Sequence, residues 1–190
     1  MELSGAVYLV IAGWGAASPE WVQWSALFAT DAILVAFAVL ACVVWWRVDR
    51  RLRALVAMLA AGGAAWYAAD LVKRVFLAER PCRAHVVETV ENCAEVSVWS
   101  FPSGHAATAG AFAVAAAMFW RRLIWPAVLL AVLEAFLRVF IGVHYPHDVL
   151  LGLLFGAVIG LIVAAAGRPG ARRPPAVRAG DAATTTSTGA

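Results

Sequence analysis

Three short stretches of this 190-residue chain carry side chains suited to chemistry on an anion with several oxygens. The first runs Lys73-Arg-Val-Phe-Leu-Ala-Glu-Arg80-Pro81. Lys73 and Arg80 are seven residues apart, almost two helical turns, so one helix face would present both about 10 Å apart along its axis. A long ammonium stem can snorkel toward the surface, and a guanidinium offers a bidentate fork. Pro81 is expected to stop that helix. Asp70 is placed to pair with Lys73, and Arg74 reads as a snorkelling charge. The competing reading is plain interfacial anchoring by Lys and Arg.

The second stretch is Phe101-Pro102-Ser103-Gly104-His105. Pro-Ser-Gly opening an apolar block marks a helix N-terminus, whose unpaired N–H groups and dipole favour an anion. Ser103 can cap the helix or donate, Gly104 lets oxygens approach the backbone, and His105 lies at the pocket edge. Taken alone, the same four residues also describe an ordinary cap beside a solvated histidine.

The third stretch, Arg138-Val-Phe-Ile-Gly-Val-His144-Tyr-Pro-His-Asp148, supplies a reactive pair. Pro146 suits the first position of a helix, which puts Asp148 in its first turn. A carboxylate that accepts from one imidazole nitrogen fixes the tautomer and frees the other to attack, here on His144. Arg138 is within reach of the same anion, with Glu134 four residues earlier expected to hold its guanidinium. His147 reads as an interfacial residue. The four histidines, His85, His105, His144 and His147, form neither an HExxH nor a paired-cysteine metal pattern, and the nearby cations repel a divalent ion; no metal or other cofactor is expected.

These stretches must be positioned by membrane helices. Hydrophobic residues make up 63% of the chain and charged residues 14%, a membrane balance rather than a soluble one. Five apolar blocks approach or reach the length needed to cross a bilayer: Ser25–Trp46, Ala54–Leu77, Ser103–Trp120, Leu123–Val143 and Pro146–Ala166. The block Leu3–Ala17 is shorter and interrupted by glycine, and a short first span is preferred over a helix lying in the interface. The expectation is an all-α polytopic bundle of six spans, with no cleavable leader, comprising residues 1–167, and a disordered tail over 168–190.

Arginines cluster between the second and third blocks (Arg47, Arg50, Arg51, Arg53), between the fourth and fifth (Arg121, Arg122) and after the last. The positive-inside rule puts these clusters and the tail in the cytoplasm, and all three chemical stretches at the opposite, outer face. Trp14, Trp21, Trp24 and Trp99 then suit the outer interface and Trp45, Trp46, Trp120 and Trp125 the inner one; Trp66 fits neither. The net charge of +3 resides in these loops, so no nucleic-acid partner is expected. Cys42 falls inside a span, where simple packing is expected. Cys82 and Cys93 share the outward loop, where a disulfide and two free thiols are both open.

Lys73-x6-Arg80-Pro81, Pro102-Ser103-Gly104-His105 and Arg138-x5-His144-x3-Asp148 resemble, in order, the three-part signature of the phosphatidic acid phosphatase type 2 superfamily. The resemblance implies a metal-independent enzyme acting on a lipid phosphate or diphosphate in a bacterial plasma membrane. It makes His144 the nucleophile of a phosphohistidine mechanism, Asp148 its orienting partner and His105 the acid for the leaving group. Lys73, Arg80, Ser103, Gly104 and Arg138 would bind phosphoryl oxygens. The family's usual serine before the third-motif arginine is Leu137 here, removing one hydroxyl. Within the family the short chain is similar to undecaprenyl-diphosphatases, and also to phosphatidylglycerophosphate, phosphatidic acid and polyprenyl-phosphoribose phosphate phosphatases. A rival from another class is a lipid-phosphate transporter, which would use the cations but has no need of the His144–Asp148 pair.

Overall fold

The computed structural model describes residues 2–48, 52–85, 87–95 and 97–167. They form helices α1 (Glu2–Ala16), α2 (Glu20–Arg47), α3 (Leu52–Phe76), α4 (Pro81–Ala84), α5 (Gly104–Phe119), α6 (Ile124–Phe140) and α7 (Pro146–Gly167), with a 3₁₀ turn, Arg121–Leu123, leading into α6. No strand occurs among the described residues, and the expected all-helical membrane bundle is what the chain forms. The expected tail, 168–190, lies outside the described residues.

Four stretches are long and apolar enough to cross a membrane: Glu20–Arg47, Leu52–Ala84, Arg121–Phe140 and Pro146–Gly167. Shorter α5 lies at the centre, packed by α7, α3, α6 and α2, with eleven of its sixteen residues buried. Lipid tails are as apolar as leucine, so these helices associate by close packing of small residues rather than by hydrophobic drive. The sequence supplies them accordingly. On α7, Gly152, Gly156 and Gly160 face α5; a Cβ at Gly156 would collide with the carbonyl of Ala107, and one at Gly160 with that of Ala111. The opposite side of α7 exposes Leu150, Leu154, Val158 and Leu161, suited to lipid.

The first helix does not run parallel to this core. Ser4 near its start bonds His147, Tyr8 donates to the Gly142 carbonyl, and Gly15 at its far end abuts Phe140. Both ends of α1 therefore rest on the end of the bundle where α6 finishes and α7 begins. Of the two placements open for this block, these contacts fit the interfacial one. Cys42 differs from expectation: it is exposed on α2, because the core face of that helix is taken by Phe37, Ala41 and Val44.

Candidate active site

The ends of α3 and α6 and the starts of α5 and α7 meet at one end of the bundle, opposite Arg47, Arg53, Arg121 and Arg122. At the start of α7, Asp148 accepts from the Tyr145 N–H at 2.9 Å and from the Ser100 hydroxyl at 2.5 Å. The backbone bond is a first-turn carboxylate reaching back to the residue before its helix, as Pro146 at the first position allows. His144 is only 1% exposed, with Nδ1 3.6 Å from Asp148 Oδ2 and 3.4 Å from Ser100 Oγ. Its Nδ1 side is thus committed to Asp148 and Ser100, leaving Nε2 as the nitrogen able to attack. Burial pushes the His144 imidazole down to about 3, overriding the opposing pull of the nearby Asp148 carboxylate, so the ring is neutral.

The turn joining α6 to α7 sets Arg138 beside His144. The Arg138 carbonyl accepts from Val143 N–H at 3.3 Å, and Gly142, at φ +90°, occupies the left-handed region where Thr89 leaves no room for a Cβ. The Arg138 guanidinium lies 3.5 Å from Glu91, a residue of the loop between α4 and α5. Glu134 does not hold it as expected: both Glu134 carboxyl oxygens are buried without a hydrogen-bond partner. Arg138 is close enough to Lys73, Arg80, His105 and His144 to act on each electrostatically.

The Lys73 and Arg80 pair reaches the site differently from the expected single helix face. Leu77, at φ 49°, breaks the chain out of α3, and the residue before a proline is held extended, so Arg80 becomes the N-cap of α4. Pro81 therefore begins a helix instead of stopping one. Arg80 is buried and donates to the carbonyls of Val98 and Val143 at 3.2 and 3.5 Å, fastening the loop between α4 and α5 to the turn before His144. Asp70 pairs with Arg74 at 2.8 Å rather than with Lys73, because four residues bring a forked side chain onto the carboxylate better than three do here. Lys73 makes no ion pair among the described residues and lines a small cavity with Val98 and Trp99.

Ser103 caps α5, its hydroxyl accepting from Ala106 N–H at 3.4 Å, while its own N–H donates to the Asp148 carbonyl at 3.1 Å. That backbone bond joins the second and third stretches directly. The next N–H groups, of Gly104 and His105, belong to the helix end that favours an anion. His105 Nε2 lies 3.6 Å from Asp31 Oδ1 on α2, and Trp66 meets its ring edge-on at 5.1 Å.

Cys82 and Cys93 form a disulfide with Cα atoms 5.8 Å apart. Together with Arg83, which donates to the carbonyls of Ala94, Glu95 and Val98, it fixes the fold of the loop between α4 and α5. His147 is bonded to Ser4 at 2.8 Å and stacks on Tyr145, and its Nε2 is 3.2 Å from Asp148 Oδ1. Sequence reasoning passed over Ser100, Glu91 and Asp31, and noted Trp66 only as fitting neither aromatic belt. Only Asp31 carried a usable local signal, as a lone carboxylate within a long apolar helix.

A family model described as the PAP2 superfamily matches residues 50–169. The undecaprenyl-diphosphatase BcrC of Bacillus subtilis is 34% identical over 140 residues, covering 72% of this chain and 70% of that one. A lipid A 1-phosphatase of Rhizobium johnstonii is 36% identical over 99 residues, and the match takes in 50% of this chain and 41% of the relative. Among solved structures, a transmembrane PAP2-type phosphatidylglycerolphosphate phosphatase from Bacillus subtilis superposes with a TM-score of 0.62 at 20% identity, covering 84% of each chain.

Proposed function

The chain belongs to the PAP2 superfamily of membrane lipid phosphatases, and from that premise we propose that it hydrolyses undecaprenyl diphosphate to undecaprenyl phosphate through a phosphohistidine at the extracytoplasmic face. The observation that carries this reading is the buried, neutral His144 with Asp148 behind its Nδ1 and the cationic groups of Lys73, Arg80 and Arg138 around it. The Nε2 lone pair attacks the terminal phosphorus, forming the N–P bond as the P–O bond to the bridging oxygen breaks and undecaprenyl phosphate leaves. His105 gives a proton to the leaving oxygen. A water then attacks phosphorus, losing its proton to His105, and the N–P bond breaks to release inorganic phosphate and neutral His144.

Asp148 stabilises the positive charge that His144 acquires, and the three cations with the α5 N–H groups stabilise charge on the phosphoryl oxygens. A pocket of this sign does not invite a divalent cation, so turnover without metal is expected. Outward placement is supported by the arginines at the far end and by a disulfide at the site end, which suits an oxidising compartment.

The test is phosphate release by detergent-purified protein with chelator present, from undecaprenyl diphosphate, phosphatidic acid and phosphatidylglycerophosphate, with His144→Ala beside the wild type. Release that survives chelation and disappears in the variant supports the mechanism, and the preferred lipid identifies the substrate. Faster release from either phospholipid overturns the undecaprenyl assignment. Folded protein that binds these lipids and releases no phosphate favours the transporter reading.

A further inference from the structure

Asp31 is the one carboxylate inside the long apolar run of α2, about 16 Å from the start of that helix. A charge at that depth is costly, is rarely kept without a partner, and marks a functional position by default. Its side chain is 84% exposed, so it is not retained by packing. Its ion-pair partner is His105, at 3.6 Å, the histidine of the second stretch, which is itself 17% exposed and flanked by Trp66. The ring therefore has a carboxylate on one contact and an aromatic edge on another, the arrangement that fixes an imidazole's orientation and tautomer.

We propose that Asp31 is a positioning residue for leaving-group protonation: its carboxylate, facing Nε2, holds the His105 ring in place and favours its protonated form until the leaving oxygen takes a proton from the ring. This rests on the phosphatase reading above and extends it to a residue outside the three motifs. As the P–O bond breaks, its electron pair goes to the leaving oxygen, and a proton of the His105 ring passes to that oxygen. Neutral His105 remains beside anionic Asp31, and the water that cleaves the N–P bond returns a proton to the ring. A histidine acting as general acid contributes about 10²–10⁴ in rate, and a ring left free to turn forfeits part of that. Asp31 makes no direct contact with His144 or the phosphate-binding cations, though its charge reaches Arg138, so the loss is expected chiefly in kcat.

The experiment compares Asp31→Asn, Asp31→Gln and Asp31→Glu with wild type on whichever of the three lipids wild type turns over fastest, reading kcat and KM separately with melting in detergent alongside. The expected result is a kcat about tenfold or more lower in the Asn and Gln variants, a KM within twofold, and most of the rate kept by Glu. Gln and Glu share size and shape, so a difference between them reports the carboxylate and not packing. Equal kcat for Gln and Glu overturns the proposal, as does a loss confined to KM. If neither amide variant folds, Asp31 is structural and the proposal also fails. Wild-type protein that releases no phosphate from any lipid sinks the phosphatase reading itself, a result distinct from an active wild type whose Asp31 variants are unaltered.

Discussion

Replacing Ser100 by alanine tests whether the pair His144 and Asp148 works as a unit. Ser100 is fully buried, its N–H is satisfied by the Ala78 carbonyl, and its hydroxyl donates to Asp148 Oδ2 while lying 3.4 Å from His144 Nδ1. Alanine deletes only the hydroxyl and leaves the backbone bond in place. Asp148 Oδ2 would then retain the Tyr145 N–H, and Oδ1 already lacks a hydrogen-bond partner. A hydrogen bond to a charged group is worth about 1.5–3 kcal/mol. If that whole amount orients the carboxylate against the imidazolium-like ring of the transition state, kcat falls by about 10- to 150-fold. KM should change little, since the Ser100 hydroxyl contacts Asp148 and His144 rather than a phosphate-binding cation. The assay is steady-state phosphate release with melting temperature measured on the same preparation. A kcat within twofold of wild type would show that Asp148 holds His144 without Ser100, and a loss residing in KM would place Ser100 in the phosphate pocket instead.

Arg138→Lys should lower kcat about a hundredfold, because an ammonium cannot reproduce the fork that stabilises phosphoryl oxygens; an activity near wild type would mean that Arg138 serves only to hold Glu91. His147→Ala should cost less than about tenfold, since His147 is 40% exposed and bonded to Ser4; a loss equal to that of His144→Ala would identify His147 as the nucleophile. With pH, burial keeps the His144 ring neutral in the fold down to about 3, against about 6.5 in the unfolded chain. That group therefore stabilises the protein above about 6.5, and the contribution is lost as pH falls toward about 3. The acidic limb of kcat should accordingly lie well below 6.5, measured on protein shown to stay folded. A limb centred near the ordinary histidine value would mean that His144 is solvated during turnover.

The helical bundle and the meeting of three stretches at one end were legible because apolar block length and loop charge are local properties of the chain. Partners were harder to read, because local spacing offers only neighbours three or four residues away. Asp70 had Lys73 and Arg74 both in range, and the choice went to the longer fork. Arg138 had Glu134 one turn back, yet the guanidinium lies nearest Glu91, brought in by a loop that Arg83 and the Cys82–Cys93 bridge fold into place. The break at Leu77 has no composition signal: a leucine at positive φ is held there by its surroundings, with Arg80 anchored on Val98 and Val143. Asp31 and Ser100 lie outside every motif, and their roles appear only when α2 and the outer loop are packed against α5 and α7.

The glycine face of α7 also decides which parts of the site can move relative to one another. At Gly156 and Gly160 the backbones of α5 and α7 touch without intervening side chains, and Ser103 is bonded to Asp148 at the top of the same seam. His105 rides on α5 and His144 sits in the turn just before α7, so their spacing is tied to this backbone contact. Lys73 and Arg80 come from α3 and the segment after it, Arg138 from α6, and Asp31 from α2. The two histidines are thus coupled through one backbone seam, whereas the phosphate-binding cations and Asp31 reach the site on elements outside it.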